Sequence, residues 1–477
     1  MTIVVRADAE VARAVHDGCG PSLAISCGRG AASPVLLGNI RSGISGLIGR
    51  VIAAAASSCG KGLNTGNICA NRNHICGSPL HCQRRSGQDV AQANGCRCLD
   101  QMALRGNGEW IVNIRAAIVR QKSGPFLLED IELQEPRHDE IRVKIAGCGI
   151  CHTDLVCRDQ YFPVPLPCVF GHEGSGIVDA VGAGVTGLVP GDHVVLSFDN
   201  CGACAPCLKG RPGYCLDLYA SNFLGTRVDG SVALHAKAAG GPVHGHFFQQ
   251  SSFATYALAR ANNAVKVDPA VPIELLGPLG CGIQTGAGAV MNALRPEAGS
   301  SIAIFGSGSV GLSAVMAAHL VGCATIIAVD LNSSRLDVAR ELGATHVVST
   351  QAGNPVEAIQ EISGGGVLYS LECTGLPQVL RQAVDALTLT GICGVIGVSP
   401  LGTEVALDMN ALMFGRTVRG IIEGDSVPRI FIPQLVELYK QGRFPFDRLV
   451  SFYQLDQINE AVKDTESGKA LKAIVLP

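Results

Sequence analysis

Between residues 301 and 397 the chain alternates two kinds of apolar pattern. The short unbroken runs SIAIF, TIIAVD, VLYSLE and GICGVIG are rich in β-branched residues and predict strands buried on both faces. Between them, SVGLSAVMAAHLVG, SSRLDVARELG and PQVLRQAVDALT space their apolar positions as helices do. Such alternation predicts an α/β fold with a doubly wound parallel sheet over 282–423. Upstream, over 112–281, the pattern shortens: VNIRAAIVRQKSGPFLLEDIELQEP reads as strands broken by Gly and Pro turns. Residues 424–477 mix both patterns, and no internal repeat is evident.

Composition narrows the functional classes. A chain of 477 residues has room for two or three domains, and 47% hydrophobic against 16% charged residues is a globular balance. The formal net charge of −3 supplies no basic field, so neither nucleic acid nor an acidic membrane surface is an expected partner. MTIVVRADAE lacks the features of a secretory leader, and ISGLIGRVIAAAA carries Arg50 and is too short to span a bilayer. The expected location is therefore the cytoplasm. Thiols stay reduced there, so clusters among the 20 cysteines favour metal over disulfide.

Two motifs carry chemistry by themselves. In IAIFGSGSVG a predicted strand meets a predicted helix, with Gly306, Gly308 and Gly311 in GxGxxG spacing. The first glycine permits the tight turn, the second the approach of a pyrophosphate, and the third close helix packing. Asp330 ends the next predicted strand, where a carboxylate accepts hydrogen bonds from a ribose and repels a 2′-phosphate. That favours NAD over NADP; a tight turn in an unrelated sheet protein is the alternative. The second motif, CGACAPCLKGRPGYC, sets Cys201, Cys204, Cys207 and Cys215 in C-x2-C-x2-C-x7-C spacing. Four thiolates fill a tetrahedral ion and leave no room for substrate, so this reads as a structural metal site. A redox dithiol is the competing reading.

Other chemistry-bearing residues are scattered: Cys151 in GCGICHTD, His172 in FGHEGSG and Cys281 in GPLGCGIQTG. Singly, each reads as a small core thiol or a hydrogen-bonded histidine. In order, however, GICHTD, FGHEGSGIVDAVGAGVTGLVPGDHV, the four-cysteine lobe, GCGIQTG and GSGSVG make residues 112–477 resemble the zinc-dependent medium-chain alcohol dehydrogenases. QKSGPFLLEDIEL, FFQQSSFATYAL and GRFPFDRLVSFY are most similar to bacterial aryl-alcohol (benzyl alcohol) dehydrogenases.

The resemblance implies a GroES-like, β-rich catalytic domain from 112–281 and 424–477, and a Rossmann NAD-binding domain from 282–423. It implies two zinc ions per subunit. Cys151, His172 and Cys281 would hold the catalytic one, and the four-cysteine lobe the structural one. Glu173 would lie behind the catalytic ion, Asp154 would support His172, and Thr153 would take the alcohol proton. His152 and Lys472 would contact the cofactor pyrophosphate, Thr285 the nicotinamide, Val310 the glycine-loop side and Arg335 the adenosine ribose.

The implied reaction is NAD-dependent oxidation of a primary aromatic alcohol to the aldehyde, and its reverse, in a homodimer or homotetramer. A general primary or terpenoid alcohol dehydrogenase is the alternative on the same scaffold, and a non-catalytic nucleotide-binding protein the alternative outside it. One departure is Val156, where many relatives carry a relay histidine. The glutathione-linked formaldehyde branch is disfavoured, because its acidic residue near Phe162 and basic residue near Tyr219 are missing. Phe247, Phe248 and Phe253 offer an aromatic pocket lining, although clustered Phe is more often core.

Residues 1–111 stand outside the resemblance. Cys19, Cys27, Cys59, Cys69, Cys76, Cys82, Cys96 and Cys98 contain no CxxC pair, and their irregular spacing argues against a zinc module with His74 and His81. A poorly ordered extension is the expectation. Valine can be encoded by GTG, a bacterial start codon, which makes Val112 a candidate initiator. Intact mass of protein made from the native gene checks this: the expected mass lacks residues 1–111.

Overall fold

Strands apolar on both faces lie at the centre of the nucleotide-type sheet. In the computed structural model, which describes residues 102–104, 110–237 and 241–477, six parallel strands form this sheet. In space they run His346–Ser349, Thr325–Asp330, Ser301–Phe305, Val367–Glu372, Leu387–Val395 and Thr417–Gly420. The chain order is thus third, second, first, fourth, fifth, sixth, and winding reverses between Ser301–Phe305 and Val367–Glu372. At such a reversal the connecting segments leave to opposite faces and open a crevice at the strand carboxyl ends. The doubly wound parallel sheet expected from the sequence is present.

Several elements of this layer went unread in the sequence, the edge strand Thr417–Gly420 among them. The strand His346–Ser349 is short and its residues are only partly buried, so the apolar run is weak. The helix Pro355–Ser363 does carry its signals: Asn354 caps it by accepting from the Val356 N–H, and Pro355 opens its first turn. Another boundary moved. The helix expected through residue 388 ends at Asp385, and the strand after it begins at Leu387.

The remaining strands form two mostly antiparallel sheets. One orders Ala264–Lys266, His193–Leu196, Glu173–Val181, Glu140–Gly149, Lys472–Leu476 and Val450–Gln454, with Tyr256–Arg260 also paired to Glu140–Gly149. The other orders Met102–Leu104, Trp110–Val119, Leu127–Gln134, Leu234–Ala236 and Pro242–Val243. Strand Trp110–Val119 thus begins two residues before Val112. The rest of the extension, with its cysteines and the module weighed for it, lies outside the described residues. No helix among the described residues is long and apolar enough to cross a membrane.

Two register facts position the site. Gly149 pairs with Glu173, so the segments holding Cys151 and His172 leave the same end of one strand pair. Ile474 also pairs with Gly149, which brings the returning C-terminal strand, and Lys472, to that end. The helix Gly282–Gly288 then crosses to the parallel sheet: Leu279, Ile283 and Val290 share one buried cluster with Ile302, Ile304 and Val315.

A buried ion pair ties the outer β-layer together. The Arg227 guanidinium donates to Glu140 twice, at 2.6 and 3.1 Å, and the Arg137 backbone N–H donates at 2.9 Å. Burial alone would raise the Glu140 carboxyl, but hydrogen bonds to His246 and Arg227 outweigh it and hold it down at about 2. Arg227→Ala leaves that charge buried without its cation. The expected loss is ~3–5 kcal/mol of unfolding free energy, read from denaturant midpoints.

Candidate functional site

Asp154 organises the first group of residues. Its fully buried carboxylate accepts the Cys151 N–H at 3.0 Å, which starts the helix His152–Arg158, and the Gly171 N–H at 3.1 Å. It also receives His172 Nδ1 at 2.8 Å. With Nδ1–H donated there, the Nε2 lone pair is the free one, and this buried atom has no hydrogen-bond partner. Donor atoms of Cys151, His172, Glu173 and Cys281 all lie within 4.8 Å of one another. Thr153 Oγ1 is 3.9 Å from Cys151 Sγ.

Glu173 and Lys472 are committed to each other. Lys472 Nζ donates to the two Glu173 oxygens at 3.0 and 2.9 Å and to Ile150 O at 3.1 Å. Gly282 N–H adds a third bond to the carboxylate at 3.0 Å. Burial raises the Glu173 carboxyl, and Lys472 opposes that rise. Cys151, His172 and Cys281 are therefore the donors left unengaged by an ammonium. A hydrogen bond from Cys281 holds the Cys151 thiol well below its ordinary range, despite burial. Burial pulls the His172 imidazole down, but Asp154 and Cys151 outweigh it and raise it. The hydrogen bond between the two cysteines, with burial, pushes the Cys281 thiol well above its ordinary range. Two cysteine sulfurs and an imidazole nitrogen converging on one point are a donor set that suits zinc.

A second carboxylate reaches this group, and the sequence reading passed over it. Glu423 Oε1 accepts from Cys281 Sγ at 3.5 Å, while Oε2 accepts from Gln284 Nε2 at 3.3 Å and Thr285 Oγ1 at 3.4 Å. Burial pushes its carboxyl up to about 7. It sits in a turn whose residues Glu423, Gly424 and Asp425 have φ of 51°, 65° and 51°, left-handed throughout. A Cβ on Gly424 would lie 2.4 Å from Gln284 O, so only glycine lets the turn dock on the helix Gly282–Gly288. In sequence, E-G-D between Ile422 and Ser426 reads as an ordinary exposed turn.

The four-cysteine lobe closes on itself. The Sγ atoms of Cys201, Cys204, Cys207 and Cys215 lie within 4.8 Å of one another, and none is in a disulfide. Backbone N–H groups of Cys204 and Cys201 donate to Cys201 Sγ and Cys215 Sγ, both at 3.3 Å. Hydrogen bonds from the Cys207 and Leu216 backbones hold Cys204 down at about 6. Four sulfurs converging with N–H support are a fit for zinc and offer no open position. The lobe is also tethered: Tyr214 Oη donates to Asp425 at 2.5 Å and to Gly420 O at 3.1 Å.

The glycine loop opens on a cleft of 380 Å³ lined by Cys151, His152, Gly308, Val310, Arg335 and Lys472, among others. Gly306 turns at φ 95°, and a Cβ on Gly311 would lie 1.8 Å from Gly306 O. Gly308 has nothing within 4 Å of its Cβ position, so its backbone faces open space at the start of the helix Ser309–Leu320. Asp330 accepts from Ser307 N at 2.6 Å and Asn332 N at 2.8 Å, with one carboxylate oxygen on each. Glycine loop, helix start and strand-end acid fit a dinucleotide. Lys472 lines the cleft with its ammonium already engaged by Glu173, whereas the exposed His152 has no such tie.

The phenylalanines divide. Phe247 and Phe253 are wholly buried, Phe253 edge-on to Phe126 at 5.6 Å. Phe248 stacks on the His172 ring at 4.4 Å. From it a row of rings continues through Phe223 at 5.1 Å to Tyr219 at 5.2 Å and Phe162 at 6.0 Å.

Comparison with known proteins agrees with this layout. Residues 137–269 match the family described as alcohol dehydrogenase GroES-like domain, and residues 309–441 the one described as zinc-binding dehydrogenase. A geraniol dehydrogenase of Castellaniella defragrans is 48% identical over 368 residues, 76% of this chain and 98% of that protein. An alcohol dehydrogenase zinc-binding domain protein from Burkholderia ambifaria superposes with a TM-score of 0.76 at 57% identity, covering 77% of this chain and 100% of its own. Benzyl alcohol dehydrogenase from Acinetobacter calcoaceticus superposes with a TM-score of 0.74 at 52% identity, covering 76% and 99%. The chain therefore belongs to the zinc-dependent medium-chain alcohol dehydrogenases, with zinc and a nicotinamide dinucleotide as cofactors.

Proposed function

We propose that the protein oxidises primary aromatic alcohols of the benzyl type to aldehydes with NAD, and reduces them in reverse. The observation that carries the aromatic preference is the row of rings from Phe162 through Phe223 and Phe248 to the His172 imidazole. Flat aromatic surface beside the reacting group favours a flat substrate. The 48% identical geraniol dehydrogenase supports a second reading, a terpenoid primary alcohol.

In this reading Cys151, His172 and Cys281 hold the catalytic zinc, and Cys201, Cys204, Cys207 and Cys215 the structural one. A zinc ion at the first site supplies a Lewis acid beside the substrate oxygen. Asp154 fixes the His172 tautomer, and Glu173, neutralised by Lys472, stands behind the triad. The Thr153 hydroxyl receives the proton that the alcohol loses. Its further route does not run through Val156, which is apolar and buried; His152 is the exposed group on the same helix turn. Gly306, Gly308, Val310 and Gly311 receive the pyrophosphate with His152 and Lys472. Asp330 and Arg335 take the adenosine ribose, and Thr285 the nicotinamide. Asp330 is the basis for NAD over NADP.

The same reading extends to assembly and location. Met409, Met413 and Phe414 are exposed beside the edge strand Thr417–Gly420, which has one unpaired side. Such an edge suits a homodimer or homotetramer. Twelve described cysteines are all free, as in the reducing cytoplasm.

Three measurements test these assignments. NADH absorbance with benzyl alcohol, geraniol and ethanol is expected to rank kcat/KM in that order, with ethanol at least ~10-fold behind; equal efficiency on ethanol removes the aromatic assignment. Val156→His is expected to change the pH profile of alcohol oxidation, because it offers the proton a titratable stop. Cys207→Ser is expected to lose one of two zinc equivalents and several degrees of melting temperature; normal melting and zinc content would remove the structural assignment.

A further inference from the structure

We propose that Gln250 is a positioning residue for the metal triad. Its buried side-chain amide holds the backbone at His172 and, through Ser197, the backbone next to Cys281 at the spacing a shared ion needs. The inference rests on the reading of Cys151, His172 and Cys281 as zinc ligands.

Strand pairing stops short of His172 on one side. Strand Glu173–Val181 pairs with His193–Leu196 only as far as Ser175, opposite Val195. Past that point the Gln250 amide stands between the two chains. Its Nε2 donates to His172 O at 2.9 Å and to Ser197 O at 3.3 Å. Its Oε1 accepts from Gly174 N at 3.0 Å and from Ser252 Oγ at 2.9 Å. An amide has two N–H donors and two acceptor lone pairs, so its whole capacity is used. Gln250 is 1% exposed. A Cβ on Gly174 would lie 2.2 Å from Ser252 Oγ, so glycine is what lets this brace come close.

The brace continues to the third ligand. Ser197 Oγ donates to Gly280 O, next to Cys281, at 2.6 Å. Gln284 Nε2 donates to Ser197 Oγ at 2.8 Å and to the same carbonyl at 2.6 Å. The segment that supplies Gln250 is strained: His246, Phe248, Gln249 and Ser251 have φ of 57°, 53°, 50° and 54°. Such residues persist only where their surroundings fix them, and they collect at functional sites. Here the strain serves His172. Phe248 stacks on its ring, Gln250 takes its carbonyl, and Asp154 takes Nδ1.

The test reads zinc affinity of the full chain in zinc-buffered solution, with melting temperature alongside. The wild-type chain is expected to bind two equivalents, one of them abolished by Cys207→Ser. Gln250→Met keeps the length of the side chain but offers no amide. It is expected to weaken the other equivalent ~10-fold and to leave the lobe equivalent unchanged. Ser252→Ala removes only the hydroxyl that orients Oε1 and is expected to weaken the same equivalent ~3-fold. That variant decides the matter if Gln250→Met does not fold. Unchanged affinity for that equivalent, or equal weakening of both with a fall in melting temperature, overturns the proposal. A wild-type chain whose single zinc is lost with Cys207→Ser instead removes the triad reading itself.

Discussion

One buried carboxylate sets the geometry on which the candidate metal site depends. Asp154 gathers the N–H of Cys151, the N–H of Gly171 and the ring of His172. It thereby joins the start of a short helix to the segment leading into a strand, across eighteen positions of sequence. Without this acceptor, three donors would be buried with one partner missing, and each such loss costs about 1–3 kcal/mol. The same interaction decides which imidazole nitrogen is free to bind metal. Fold and chemistry meet in a single side chain.

Around that centre the charges are balanced by pairing. Lys472 reaches Glu173 only because the C-terminal strand returns to lie against Glu140–Gly149. The chain must therefore complete the parallel sheet and come back before the buried Glu173 carboxylate meets its cation. This couples the two halves in folding as well as in function. The helix Gly282–Gly288 does the same from the other direction, carrying Cys281 at its start and burying Ile283 in one cluster with Ile302 and Ile304 of the parallel sheet.

Legibility in the sequence followed the range of the interaction. The glycine loop and the four-cysteine lobe were plain, because their chemistry needs particular residues at fixed short spacing. The parallel sheet was plain where strands are buried on both faces and faint at His346–Ser349, where they are not. Cys151, His172 and Cys281 gained meaning only through family resemblance, since no local spacing links them. Glu423 left no signal at all: its carboxylate is set by a turn docked on a helix some 140 residues earlier. The clustered phenylalanines were ambiguous for a similar reason. Composition could not say that Phe253 faces the core while Phe248 faces His172.

Tyr214 belongs to the cysteine lobe, yet its hydroxyl ends on Asp425, beside the residue that touches Cys281. Gly213 presses on the same segment, with its Cβ position 2.9 Å from Ile422 O. The lobe is thus a peripheral anchor with a line running inward. Oxidants or chelators that strip its metal act on thiols distant in sequence from the triad, but they slacken the turn that the triad leans on. For an enzyme of this build, loss of the outer ion and loss of turnover are not independent kinds of damage.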